Sequence, residues 1–205
     1  MFRGVPVTAV ADRSLCYNKL ICTKVSVQKD QVMENRLMLK EGTLTVPPEN
    51  SELINGCALT RPEPDDRARR VMENLTQCAK KYKLTNKQLD TVHEAGETYT
   101  SQSLPATVLF PPFSVSKKGS GSPDWVADFV YDNKDPNAFY VKPWVYMDSG
   151  VTEYWLFDVR KKKLYLYNFE KKGLIPEVID GPRRIKAGIY SGLYISYSDL
   201  FAGLD

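Results

Sequence analysis

Two aspartates stand four residues apart in the run PDWVADFVY, Asp124 at its mouth and Asp128 inside it. The run is otherwise apolar and reads as a buried strand, where an unpaired charge costs several kcal/mol. Side chains alternate across a strand, so acids at even spacing project from one face. Something must compensate two carboxylates so placed, and a metal ion is one candidate. Lys142 opens the next helical stretch and can reach over that face. Acids and a lysine are the residue types that phosphodiester hydrolysis calls for. Mg²⁺ held by one or two carboxylates makes a water nucleophilic and neutralises the leaving oxygen, while a lysine orients the water and offsets developing charge.

The elements that must position these groups can be read from residues 123–158. Residues 125–131 form a strand, 132–136 a charged turn, 144–147 the body of a helix, and 151–158 a second strand. Ser149 and Gly150 end the helix. A strand, helix and strand of this length make a βαβ unit, with parallel strands and a right-handed crossover. Pro143 fits a helix only in its first turn, which puts Lys142 near the helix start. Residues 163–169, KLYLYNF, alternate and are expected to form a hairpin with 151–158; 174–179 add another strand.

Upstream, residues 65–82 carry the strongest helical rhythm: Ala68, Val71, Met72, Leu75, Cys78, Ala79 and Tyr82 share one face. Asp65 and Asp66 complement the helix start, and Lys80, Lys81 and Lys83 its end. A shorter helix is expected over 85–94, with Leu89 and Val92 inward. Residues 1–50 read as a β-rich extension, including a hairpin over 36–45, ahead of a domain spanning 51–205. Lys117 to Ser122, KKGSGS, is a flexible connector.

The order P-D, apolar triplet, acid, then Lys, Tyr and G-V-x-E-Y-W before an apolar pair and Asp resembles the signature of the Uma-type restriction endonucleases, a branch of the PD-(D/E)xK nuclease superfamily. Pro123, Asp124, Asp128, Lys142, Tyr146, Gly150, Val151, Glu153, Tyr154, Trp155 and Asp158 carry it. ELING at 52–56 resembles the family's E-L-I-D-G element, VLFPPFSV at 108–115 its strand with an apolar-Pro-Phe core, and 198–201 its closing short helix. The resemblance implies a restriction-endonuclease-like α/β fold, a mixed β-sheet flanked by helices. It implies Asp128 and Asp124 as ligands of Mg²⁺ or Mn²⁺ and Lys142 as the water-orienting cation. Glu153, the remaining polar residue of the signature, reads either as a further catalytic residue or as an edge carboxylate paired to Arg160 or a backbone amide. The chain departs from the pattern in four places. Asp128 replaces a Glu, Tyr131 replaces a Ser, Pro143 follows the lysine, and the connector stands where the family has a hairpin with an earlier P-D.

Net charge is +3, and 42% hydrophobic with 26% charged residues is ordinary for a globular protein. No run approaches the ~18 apolar residues of a membrane span, and residues 3–11 only imitate a leader, so a cytoplasmic protein is expected. Cys16, Cys22, Cys57 and Cys78 lack zinc-site spacing beside a lone His93 and read as free thiols. Asn74-Leu75-Thr76 matches a glycosylation sequon but lies mid-helix. Basic side chains gather at Arg67, Arg69 and Arg70, at Arg160, Lys161, Lys162 and Lys163, and at Arg183, Arg184 and Lys186. Solvated faces are their ordinary use; contact with a DNA backbone is the functional one. The expected partners are DNA and a second copy of the chain. Two functions compete: a Mg²⁺-dependent DNA endonuclease, and an inactive nuclease-like domain that binds nucleic acid or protein.

Overall fold

The computed structural model describes residues 37–38, 51–55, 57–86, 91–92, 98–101, 103–104, 106–109, 111–116, 123–131 and 136–204. The expected β-rich extension lies outside them except for Leu37–Met38, as do the leader-like stretch, Cys16, Cys22, His93 and the 117–122 connector.

The strands are β1 (Leu37–Met38), β2 (Ser51–Ile54), β3 (Cys57–Thr60), β4 (Thr91–Val92), β5 (Thr98–Thr100), β6 (Ala106–Leu109), β7 (Phe113–Ser116), β8 (Trp125–Phe129), β9 (Glu153–Asp158), β10 (Lys163–Asn168), β11 (Glu177–Ile179), β12 (Arg184–Lys186) and β13 (Tyr194–Ser196). The helices are α1 (Asp66–Asn86), α2 (Val141–Asp148), α3 (Phe169–Lys172) and α4 (Tyr197–Leu200). A mixed α/β architecture results, as expected, with the strands divided between sheets. One sheet runs β1-β3-β2-β6-β5, the second β11-β10-β9-β8-β7-β4, and β12 pairs with β13.

The βαβ unit forms as expected. β8 and β9 are parallel, with Asp128 opposite Leu156, and β10 returns antiparallel to β9 across the turn after Asp158. Pro143 sits in the first turn of α2. At the other end, Gly150 at φ +86° donates to Met147 O (3.1 Å) and Val151 donates to Tyr146 O (3.0 Å). These are the two bonds of a Schellman cap, which needs a left-handed residue and so favours glycine. Asp148 accepts from the Ser101 hydroxyl (2.6 Å) and Ser103 N (3.1 Å), fixing the end of α2 to the segment before β6.

Each face of the second sheet has its own core. Trp125, Ala127 and Phe129 of β8 join Trp155 and Phe157 of β9 on one face, under Ala68, Val71, Leu75 and Ala79 of α1. Burying each such leucine or valine stabilises by roughly 1.5–3 kcal/mol. Asp65 caps α1, its Oδ1 accepting from Ala68 N at 2.8 Å. On the opposite face Val126 and Val130 pack with Tyr154, Leu156, Val145 and Tyr146 against Ile54, Ala106 and Val108 of the first sheet. Asn74 donates to Leu200 O and Ala202 O (3.0 and 3.2 Å), so the sequon amide is committed to holding the C-terminal turn.

Two expectations are corrected. The helix expected over 85–94 is not continuous: Thr85 and Asn86 belong to α1, and Thr91–Val92 is a strand paired with Ser116 and Val115, the other residues lying outside those described. The β-branched pair lengthens the sheet edge at β7, and ladder pairing overrides the local helical pattern. The single strand expected over 108–115 is two, in different sheets, because Pro111 and Pro112 lack the N–H a central ladder needs. Of the hairpin expected over 36–45, only Leu37–Met38 is described, and it pairs with Ala58 and Cys57; the remainder lies outside the described residues.

Candidate active site

Four charged side chains meet where the two sheets and α2 come together. Alternation along β8 turns Asp128, with Val126 and Val130, toward the core shared with the first sheet. Lys142, in the first turn of α2, lies over the same face. Its Nζ donates to Asp128 Oδ2 at 3.0 Å and lies 3.1 Å from Glu52 Oε1. Glu52 projects from β2 on the side of Ile54, and Arg61, just past β3, donates to Glu52 Oε1 at 2.9 Å. The Arg61 guanidinium is also 3.9 Å from Asp128 Oδ2. Asp128 Oδ1 accepts from Phe129 N at 2.8 Å. Side-chain exposure is 0% for Asp128, 5% for Lys142, 7% for Glu52 and 9% for Arg61.

The formal charges of this quartet sum to zero, which is what makes its burial tolerable. Burial alone would push the Asp128 carboxyl up, but Lys142, Arg61 and two hydrogen bonds outweigh it and hold it below the ordinary carboxylate range. Burial alone would lower the Lys142 ammonium; Asp128 and Glu52 instead raise it. Arg61 is raised by the same carboxylates. Tyr131, whose hydroxyl is buried without a hydrogen-bond partner, is raised by burial and by Asp128.

Sequence pattern pointed to Asp128 and Lys142, and the fold brings them together. Glu52 and Arg61 were not singled out as site residues. For Glu52 the ELING element was the available signal; for Arg61 there was none, since an arginine after a short strand reads as surface. Asp124 sits at the other end of β8, about 13 Å away along a strand rising ~3.3 Å per residue. Its backbone ties three strands, donating to Val115 O (2.9 Å) and accepting from Thr152 N (3.0 Å) and Glu153 N (2.9 Å).

Glu153 lies on the opposite face of the second sheet from Asp128, level with Trp125. It accepts from Trp155 Nε1 (2.5 Å) and from Gly188 N (2.6 Å). A Cβ at residue 188 would collide with Glu153 Oε2 and Asn168 Nδ2, so any larger residue there would displace the Glu153 carboxylate. Burial pushes Glu153 up to about 7, against the hydrogen bonds from Trp155, Gly188 and Asn168 and the charge of Lys171. The folded state therefore holds this proton more tightly than the unfolded chain, whose value is ~4.3. The stabilisation is full below the unfolded value and is lost as pH rises through about 7. The change is expected to be on the order of 3 kcal/mol, at 1.36 kcal/mol per pKa unit. Urea midpoints at pH 5 and pH 8 check it: wild type should be the more stable at pH 5, and Glu153→Gln should flatten the difference. Equal slopes in both proteins refute the assignment.

Arg160, Lys161 and Lys162 occupy the β9–β10 turn, with Lys162 at φ +49°. Arg183 and Arg184 lie at the start of β12. Tyr197 links the two groups, its hydroxyl donating to Lys162 O (2.6 Å) and its N–H to Arg183 O (2.9 Å). Several of these cations already have partners: Lys161 with Asp158 (3.1 Å), Lys163 with Asp180 (3.6 Å), Arg183 with Glu177, and Arg184 over the Tyr194 ring (4.7 Å). Because β8 and β9 are parallel, this basic turn lies at the same end of the sheet as Asp128. Arg67, Arg69 and Arg70 are exposed on α1, Arg69 pairing with Asp66 at 2.6 Å.

Among the described residues no three His, Cys, Asp or Glu side chains converge as a ready metal cage. Glu52 and Asp128 nonetheless each direct one oxygen at a single cationic point, the Lys142 ammonium. Mg²⁺ is ordinarily held by one or two carboxylates, with waters and substrate phosphates completing its shell, so this donor set fits it. Among the described residues no helix is long and apolar enough to cross a membrane.

The mixed α/β fold thus places carboxylates and a lysine together at one end of a parallel strand pair. The chain belongs to the Uma2 family, described as "Putative restriction endonuclease", whose model matches residues 43–193. Its fold is similar to a crystal structure described as a putative nuclease belonging to DUF820 from Anabaena variabilis ATCC 29413. The TM-score is 0.60 at 17% sequence identity, over 75% of this chain and 90% of that one. No curated protein matches the sequence.

Proposed function

We propose that this domain is a divalent-metal-dependent DNA endonuclease whose centre is Glu52, Asp128 and Lys142. The observation that carries the reading is the convergence of two carboxylates from different sheets on one cationic point, the ammonium of the buried Lys142. Glu52 and Asp128 would hold the metal, which when bound supplies a water of lowered pKa and neutralises charge on the phosphate. Lys142, whose ammonium lies beside both carboxylates, would act as an electrostatic donor to the phosphate and the attacking water. Arg61 keeps Glu52 oriented. The linked basic turns at 160–162 and 183–184 lie at the same end of the sheet, where they would receive a phosphate backbone. A DNA contact there should weaken log-linearly with salt, with a slope of about −0.9 per phosphate.

Supercoiled plasmid incubated with the full chain in Mn²⁺ tests the reading. Conversion to nicked or linear DNA, stopped by a chelator, is expected. Plasmid that stays supercoiled in both Mg²⁺ and Mn²⁺, although the chain binds duplex DNA, refutes it and leaves a binding domain.

A further inference from the structure

We infer that Lys142 is an exchangeable cation that competes with a divalent ion for the Glu52–Asp128 pair, so that metal and phosphodiester enter this centre together. The inference rests on the function proposed above and concerns the order in which the site fills. The Lys142 amine is 3.0 Å from Asp128 Oδ2 and 3.1 Å from Glu52 Oε1. Arg61 donates to Glu52 at 2.9 Å and pairs more loosely with Asp128, at 3.9 Å. The lysine ammonium thus fills the point where both carboxylates converge.

The two cations differ in what they can give up. A guanidinium holds its carboxylate through a rigid planar fork, whereas an ammonium is a point charge on a flexible four-carbon stem. Lys142 can swing away while Arg61 keeps Glu52 in place. The buried quartet is already neutral. A divalent ion entering alone would leave two uncompensated positive charges in a poorly hydrated setting. A phosphodiester arriving with it removes one of them and gives the displaced ammonium a new anionic partner. Each ligand therefore favours the other, and the coupling must be reciprocal.

Two binding measurements test this without relying on turnover. In the first, Mn²⁺ is titrated into the full chain without DNA, with free Mn²⁺ followed by electron paramagnetic resonance. Wild type should bind weakly, and Lys142→Met at least ~10-fold more tightly, within the 5–150-fold range of typical couplings. In the second, anisotropy of a fluorescently labelled 20-base-pair duplex is followed with wild type alone, at matched ionic strength. Mn²⁺ should tighten duplex binding at least ~5-fold over a potassium-only buffer, and Glu52→Gln should remove that gain. Wild type and Lys142→Met binding Mn²⁺ equally well overturns the inference and leaves the nuclease reading standing. So does duplex affinity indifferent to Mn²⁺ in a chain that binds Mn²⁺ alone. Absence of Mn²⁺ binding in both proteins, with no Mn²⁺ effect on the duplex, overturns both. Should Lys142→Met fail to fold, the wild-type anisotropy experiment decides.

Discussion

Asp128→Asn is expected to lower plasmid nicking at least 10²-fold while the chain still folds. The substitution keeps the shape of the side chain, and with it the acceptor that faces Phe129 N at 2.8 Å. What disappears is one of the two negative charges aimed at the cationic point. A group that holds the metal or sets the attacking water contributes mainly in the transition state, so kcat should fall more than duplex affinity. The magnitude is credible because displacing a reacting group by ~1 Å alone can cost 10²-fold. Circular dichroism and a urea titration run beside the nicking assay separate lost chemistry from lost fold. An Asp128→Asn protein that nicks at the wild-type rate removes this carboxylate from the centre.

The second large effect is on stability. Lys142→Met leaves Asp128 and Glu52 sharing only Arg61, and should cost about 3–5 kcal/mol, the usual range when one partner of a buried ion pair is removed. Asp128→Leu should cost a similar amount by leaving Lys142 and Arg61 to share Glu52. The double variant should be milder than either, because the remaining Glu52–Arg61 pair is balanced, with its 2.9 Å contact intact. Urea midpoints of the three proteins give the coupling directly. Additive losses in the double variant would show that Asp128 and Lys142 do not form the pair their 3.0 Å separation indicates.

How far the sequence carried this depends on the range of each signal. The βαβ unit, the buried face of α1 and the β9–β10 hairpin rest on local periodicity and turn chemistry, and all three were legible. Asp128 and Lys142 were legible because a family pattern and an alternation rule both fell on them. Thr91–Val92 was misread because its partner, β7, lies more than twenty residues on and its pattern is too short to outweigh helical spacing. The break in 108–115 was present in Pro111 and Pro112 but was masked by the apolar run around them. Glu52 and Arg61 join the centre through the packing of one sheet against another, which no local window contains. Glu153 shows the reverse case: its motif position suggested chemistry, but strand parity puts it across the sheet, holding Gly188 and Trp155.

That division between Glu52 and Glu153 offers the most direct measurement. Wild type, Glu52→Gln and Glu153→Gln are compared for nicking of supercoiled plasmid in Mn²⁺, each at a pH and temperature where all three are folded. If the centre is the quartet at the junction of the two sheets, wild type and Glu153→Gln should both nick the plasmid and Glu52→Gln should not. Nicking by Glu52→Gln at the wild-type rate, with loss in Glu153→Gln, would contradict that placement and move the chemistry to the other face of the sheet.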